Sequence, residues 1–136
     1  MKRIALVLWL ALFTVVSAQW IGHAQQAQAP LFTGKSDTMD GKDLSAARRH
    51  FDAGARSYWH SHDNGQLLLV EKGRMRTQKR GQAMKELGPG ESDYTGSNVQ
   101  HWHGASPTQE LVQINVGFSG GTKWLEAVTE GQYAGK

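Results

Sequence analysis

The chain has 136 residues, the length of one ordinary domain. Lys and Arg number 15 against 12 Asp and Glu, and setting aside Lys2 and Arg3 in an N-terminal leader leaves 13 against 12; a near-neutral remainder excludes the broad basic footprint of a nucleic-acid binder. Cysteine is absent, which excludes disulfides, thiolate-held zinc or iron–sulfur centres and a thiol nucleophile.

The first residues, Met1-Lys2-Arg3, are positive, and Ile4 to Val16 is apolar. Small and polar residues follow, through Ser17, Ala18 and Gly22-His23-Ala24. This order predicts a secretory signal peptide over 1–24. The apolar run falls short of the roughly 20 residues that a spanning helix needs, so no stable membrane anchor is expected after cleavage. The expected destination is export, to a bacterial periplasm. Gln25 to Pro30 is polar and low in complexity and reads as a linker. The folded domain is expected over 31–136.

From Asp52-Ala53-Gly54 onward, turn signals recur: Asp63-Asn64-Gly65, Lys72-Gly73, Arg80-Gly81-Gln82, Gly88-Pro89-Gly90 and Gly96-Ser97-Asn98. Their spacing, roughly 8–12 residues, is that of a sandwich or barrel. Strands are expected at Gln66–Val70 and Arg74–Gln78. Another is expected at Gln109–Val116, where Val112, Ile114 and Val116 share one side. Trp124–Val128 reads as a strand or a helical turn. The fold class is therefore all-β: a small antiparallel jelly-roll barrel. The cations Lys72, Arg74, Arg76, Lys79 and Arg80 carry no interleaved aromatic residue for base stacking. They read as a solvated face, with no nucleic-acid partner.

The histidines carry the chemistry. His60 and His62 form one His-x-His pair and His101 and His103 a second; random scattering would give about 0.2 such pairs. Residues two apart on a strand face the same side, so His60 and His62 can meet one metal ion. Gln66, beyond the Asp-Asn-Gly turn, can return its amide oxygen to the same point. His101, from a distant strand, would complete three imidazoles and one amide. Imidazole suits zinc, copper, iron and nickel, and the added oxygen admits manganese. His103 is placed in the pocket rather than on the metal. His50, between Arg49 and Phe51, reads as a surface or core histidine.

The segment Gly54-x5-His60-x-His62-x3-Gln66-x6-Gly73 resembles the first motif of the cupins, with Gln where Glu is usual. Gly90 through His101 resembles the second, with Gly96-Ser97-Asn98 at the turn; Asn98 can take the left-handed conformation glycine supplies. The residues Gly54-Ala55-Arg56, Trp59-His60-x-His62, Gly65-Gln66 and His101-Trp102-His103-Gly104-Ala105-x-Pro107-Thr108 are similar to small single-domain cupins associated with carboxymuconolactone decarboxylases. These include manganese-dependent bacterial hydroxynitrile lyases. The resemblance implies a double-stranded β-helix barrel, His60, His62, Gln66 and His101 as ligands, and one divalent transition metal, manganese before iron, zinc or nickel. It also implies a homo-oligomer. Members with lyase activity carry a further histidine after the Pro-Thr turn, where this chain has Gln113. Glutamine cannot accept a proton near neutral pH, so the general base falls to His103.

Three neutral imidazoles and a neutral amide would leave a divalent ion's charge uncompensated, a strong Lewis acid for an alcohol, carbonyl or carboxylate oxygen. Arg56, Tyr94 and Gln113 are the expected pocket residues, Arg56 as an anchor for a carboxylate. Of the aromatic residues Trp59 and Trp102, at least one is expected in the core. The expected partner is a small molecule. The expected function is a metal-dependent lyase or related Lewis-acid enzyme, with a dioxygenase or a non-catalytic ligand-binding cupin as alternatives.

Overall fold

A computed structural model describes residues 33–136. The signal peptide expected over 1–24 and the linker over 25–30 lie outside the described residues. The chain divides into two units, Met1–Thr38 and Met39–Lys136. Residues 33–38 of the first carry no strand or helix, and every strand and helix among the described residues lies in the second.

Two antiparallel sheets form the second unit. One is ordered β1 (Leu44–Phe51), β8 (Leu111–Phe118), β3 (Gln66–Gly73), β6 (Ser92–Thr95). The other is ordered β5 (Lys85–Leu87), β4 (Met75–Lys79), β7 (His101–Ala105), β2 (His60–His62), β9 (Thr122–Trp124). A short helix α1 (Glu130–Tyr133) follows, closed by a capping box between Thr129 and Gln132. The nearly all-β, antiparallel architecture is the expected one.

The strands expected at Gln66–Val70, Arg74–Gln78 and Gln109–Val116 are present as β3, β4 and β8. The facing of β8 is the reverse of what its apolar alternation suggests. Val112, Ile114 and Val116 are only half-buried, whereas Gln113 on the other face is fully buried. The polar face of β8 looks inward because the barrel encloses a cavity rather than a dry core. The segment Trp124–Val128 resolves into the end of β9 and an irregular stretch, with the helical turn beginning only at Glu130.

Strand β1 has no apolar signature; its sequence is LSAARRHF and nearly every residue is exposed. It forms because all eight residues pair with β8, from Leu44 against Phe118 to Phe51 against Leu111. Its inner face is exposed because that face borders the cavity. A continuous backbone ladder satisfies its amides where side-chain burial does not.

Apolar packing is split in two. Leu68, Val70, Met75, Ala105 and Leu111 fill one part of the interior, with Phe51 and Leu87 against them. Trp59, Trp102, Val128 and Tyr133 form a second cluster. Both tryptophans alternate with the histidines of β2 and β7 and so face away from them. Their indole N–H groups donate to Gln132 Oε1 at 3.2 Å and Gln78 Oε1 at 3.0 Å, which removes the cost of burying them bare. The cationic run is largely matched by carboxylates: Lys72 by Glu110, Arg76 by Glu86 and Lys79 by Asp93.

Two backbone details fix the site. Asn98 takes the left-handed conformation (φ 60°) in the turn that leads into β7, as its residue type allows. Gly104 has no room for a side chain: a Cβ would stand 2.4 Å from the Ala55 carbonyl oxygen. This close passage pins residues 54–57 across β7 through the Arg56–Gly104 bridge.

Candidate metal and substrate site

His60 and His101 are directly opposed across β2 and β7. Their rings come within 4.3 Å, centroid to centroid, and the His60 and His62 rings within 5.0 Å. One ring nitrogen from each of His60, His101 and His103 lies within 4.8 Å of the others, a cluster that could hold a divalent metal ion. Gln66 reaches in from β3 on the other sheet, placing its Oε1 3.1 Å from His101 Nε2. The four residues expected to hold a metal therefore face one space, together with His103.

Hydrogen bonds orient the rings. His60 Nδ1 donates to the Tyr58 carbonyl at 2.9 Å and His101 Nδ1 to the Val99 carbonyl at 3.3 Å. Each ring then turns a bare Nε2 inward. His62 Nδ1 is held by the Thr122 hydroxyl at 3.0 Å, and its Nε2 is buried with no hydrogen-bond partner. His101 thus has an acceptor at each ring nitrogen, the Val99 carbonyl and Gln66 Oε1 at 3.1 Å, and a neutral imidazole has one N–H to donate; a cation at Nε2 satisfies both sides. Two ligands each about 2.1 Å from an ion and at right angles would stand about 3 Å apart. The orphaned His62 nitrogen and this paired set of acceptors fit a divalent cation on His60, His62, Gln66 and His101.

His103 is oriented differently. Its Nδ1 receives the Gln113 amide N–H at 3.0 Å, and the same NH2 donates to Asn115 Oδ1 at 2.6 Å. With Nδ1 an acceptor, Nε2 carries the proton, and His103 would have to give it up to join a metal with His60 and His101. Gln113 therefore sits behind His103, setting its tautomer, and leaves its own Oε1 buried without a partner.

Burial keeps these rings neutral. It lowers His60 to about 4, against the opposing Tyr58 carbonyl and with a smaller push from His62. It lowers His101 to about 3, assisted by the neighbouring His60. His62 is lowered by burial too, opposed by Gln66 and Asp63. His103 lies well below its usual value, from burial first and then from the charges of His60 and His101. Neutral imidazole is the form a metal requires.

The cavity in front of the histidines is about 560 Å³, ample for a small organic molecule. Trp124 borders it, its ring 4.8 Å from that of His60 and largely exposed. Arg56 borders it as well, but its guanidinium is held by Glu130 at 2.6 Å and by the Val128 carbonyl, over the ring of Tyr133 at 4.2 Å. Tyr94 is exposed and packs against Phe118 outside the cavity lining. His50 is exposed, 3.3 Å from Glu110. Arg49, Thr122 and Trp124 also border the cavity and stand in no motif; the signal for Arg49 is the shared strand face of Ala47, Arg49 and Phe51.

A cavity between two antiparallel sheets, walled on one side by two His-x-His strands, is the architecture of a cupin-class β-barrel. Residues 47–117 match the cupin domain family, and the chain belongs to it. It is 34% identical over 107 residues to an (R)-mandelonitrile lyase of Granulicella tundricola, covering 76% of this chain and 79% of that one. Among solved structures, a cupin-like protein from Thermotoga maritima is 39% identical with a TM-score of 0.65, over 67% of this chain and 71% of that one. The DMSP lyase DddQ of Ruegeria pomeroyi shares the fold, with a TM-score of 0.57 at 16% identity, over 65% of this chain and 46% of that one.

Proposed function

We propose that this cupin is an exported, metal-dependent lyase of the hydroxynitrile-lyase type, acting on a small oxygenated molecule. The observation that carries the reading is the set of inward acceptors, His60 Nε2, His101 Nε2, the unpartnered His62 Nε2 and Gln66 Oε1. These residues would hold one divalent ion, manganese before iron, zinc or nickel. Such an ion supplies Lewis acidity toward a substrate alcohol or carbonyl oxygen. The likeness to the mandelonitrile lyase supports the reaction class.

In such a cleavage the bond between the oxygen-bearing carbon and the nitrile carbon breaks, and its electron pair leaves on the nitrile carbon. The hydroxyl proton passes to His103 Nε2 and from there to the departing cyanide, while the O–H electron pair closes the carbonyl double bond. His103 can accept it once the Gln113 amide rotates to present Oε1 to Nδ1 and so leaves Nε2 bare. The half-buried outer face of the first sheet, with Leu67, Leu69, Ile114 and Val116, supports a homo-oligomer. The order of residues 1–24 supports delivery to the periplasm.

Metal analysis of protein purified from the periplasm tests the reading, with His60→Ala alongside. One equivalent of metal in the wild type, lost in the variant, together with benzaldehyde release from mandelonitrile, is the expected result. Retained metal with no release, but with oxygen uptake by the iron form, would replace the lyase by a dioxygenase. Silence in both assays would leave a ligand-binding cupin, the reading that Gln113 in place of a histidine favours.

A further inference from the structure

The cavity lining contains arginine and histidine but no aspartate or glutamate. Six arginines lie among the described residues. Arg48, Arg56, Arg76 and Arg80 each pair with a glutamate. Arg49 and Arg74 have no carboxylate partner among the described residues, and of these two only Arg49 borders the cavity.

The placement of Arg49 follows from register. It is directly opposite Gln113 across β1 and β8, so the two side chains leave the ladder on the same face. Gln113 is bonded to His103. Phe51, two residues along the same face, meets His103 edge to face at 5.9 Å. Arg49 thus stands on the inner face of one sheet while the histidines stand on the other. With Arg56 committed to Glu130, Arg49 is the guanidinium of the lining that has no carboxylate partner among the described residues. A guanidinium without a partner in a pocket lacking carboxylates is an anion receptor.

We propose that Arg49 binds the carboxylate of a small 2-hydroxy or 2-oxo acid, a ligand that occupies the cavity in the place a hydroxynitrile substrate would take. Its oxygen substituent meets the histidine cluster and its carboxylate meets Arg49. Phe51, Phe118 and Trp124 offer apolar walls to the remaining group. The placement of the oxygen rests on the metal-site reading above; the placement of the carboxylate does not.

The test uses mandelate and its neutral counterpart mandelamide, titrated calorimetrically at pH 8 into the full domain, both manganese-loaded and stripped by chelator. The stripped wild type should bind mandelate at least about tenfold more tightly than mandelamide, the size of one charge-assisted hydrogen bond. Arg49→Gln should abolish that preference, Arg49→Lys should keep part of it, and Arg74→Gln should leave it intact. Equal binding of the two probes by the wild type overturns the proposal. So does an unchanged preference in Arg49→Gln, or an equal loss in Arg74→Gln, which would reflect net charge alone. Should Arg49→Gln misfold, Arg49→Lys decides, since full retention with altered geometry at a bidentate site would count against it. If the protein takes up no manganese while stripped protein keeps its Arg49-dependent preference, the metal reading fails and this one stands.

Discussion

At the scale of single residues, the site is governed by which ring nitrogen each histidine turns inward. Carbonyls of Tyr58 and Val99 fix two rings and the Thr122 hydroxyl a third. The amide of Gln113 fixes His103 in the opposite sense. Gln113→Glu tests this. Its carboxylate would accept from Nδ1–H, leave Nε2 bare, and raise the basicity of His103. The acid limb of the mandelonitrile cleavage profile should move up in pH, and the nitrogen shifts of His103 in metal-free protein should exchange tautomer. Unmoved shifts would show that Gln113 does not set the tautomer. His101→Ala should abolish metal uptake as His60→Ala does, read by metal content, because each removes an inward acceptor.

At the scale of elements, the second apolar cluster holds the histidine strands in place from behind. Tyr133 of α1 packs on Trp102 and donates its hydroxyl to the Ala105 carbonyl at 2.7 Å, with Arg56 and Arg76 over its ring. Tyr133→Ala should cost about 3 kcal/mol, the scale of a buried aromatic removed from a packed site, and appear as a lower Tm with metal stoichiometry retained. Gly104→Ala should do worse. Its Cβ would meet the Arg56 Cα at 2.5 Å, forcing residues 54–57 off β7 and disturbing His103 as well as stability. A variant with wild-type Tm and metal content would contradict that close packing. The same scale explains why the sequence conceals β1, as it does the short β5 and β6. Strand β1 is specified by its full-length pairing with β8, and its own side chains carry no alternation to announce it.

At the scale of the whole molecule, the barrel spends stability on its cavity. Four histidines sit in a poorly solvated space and are held below their ordinary value of 6.5. The unfolded chain binds protons as pH falls through 6.5, while the folded chain resists until near 4 for His60 and 3 for His101. They therefore carry no protonation penalty above pH 6.5, and one that grows on acidification across that window. Thermal melts of metal-free protein should show Tm falling from pH 7 toward pH 4, and bound metal should be released over the same range as protons compete for the rings. A Tm independent of pH there would mean that the rings are more solvated than the structure shows. Light scattering should give a mass above one protomer, and Leu69→Lys on the outer face of the first sheet should lower it.

The local sequence determined a good deal by itself. Glycine and asparagine turns mark the strand boundaries, and a period of two puts His60 with His62 and His101 with His103 on common faces while sending Trp59 and Trp102 to the other side. Those are short-range consequences of backbone geometry, and one chain segment suffices to read them. The remainder required the two sheets to close. Whether β8 turns Val112 or Gln113 inward depends on what fills the interior, not on its own alternation. Arg49 and Arg56 look alike in sequence, yet register places one in the cavity opposite Gln113, and a distant Glu130 takes the guanidinium of the other. Charge and hydrogen-bond partners come from strands far apart in the chain, so only the closed barrel assigns them.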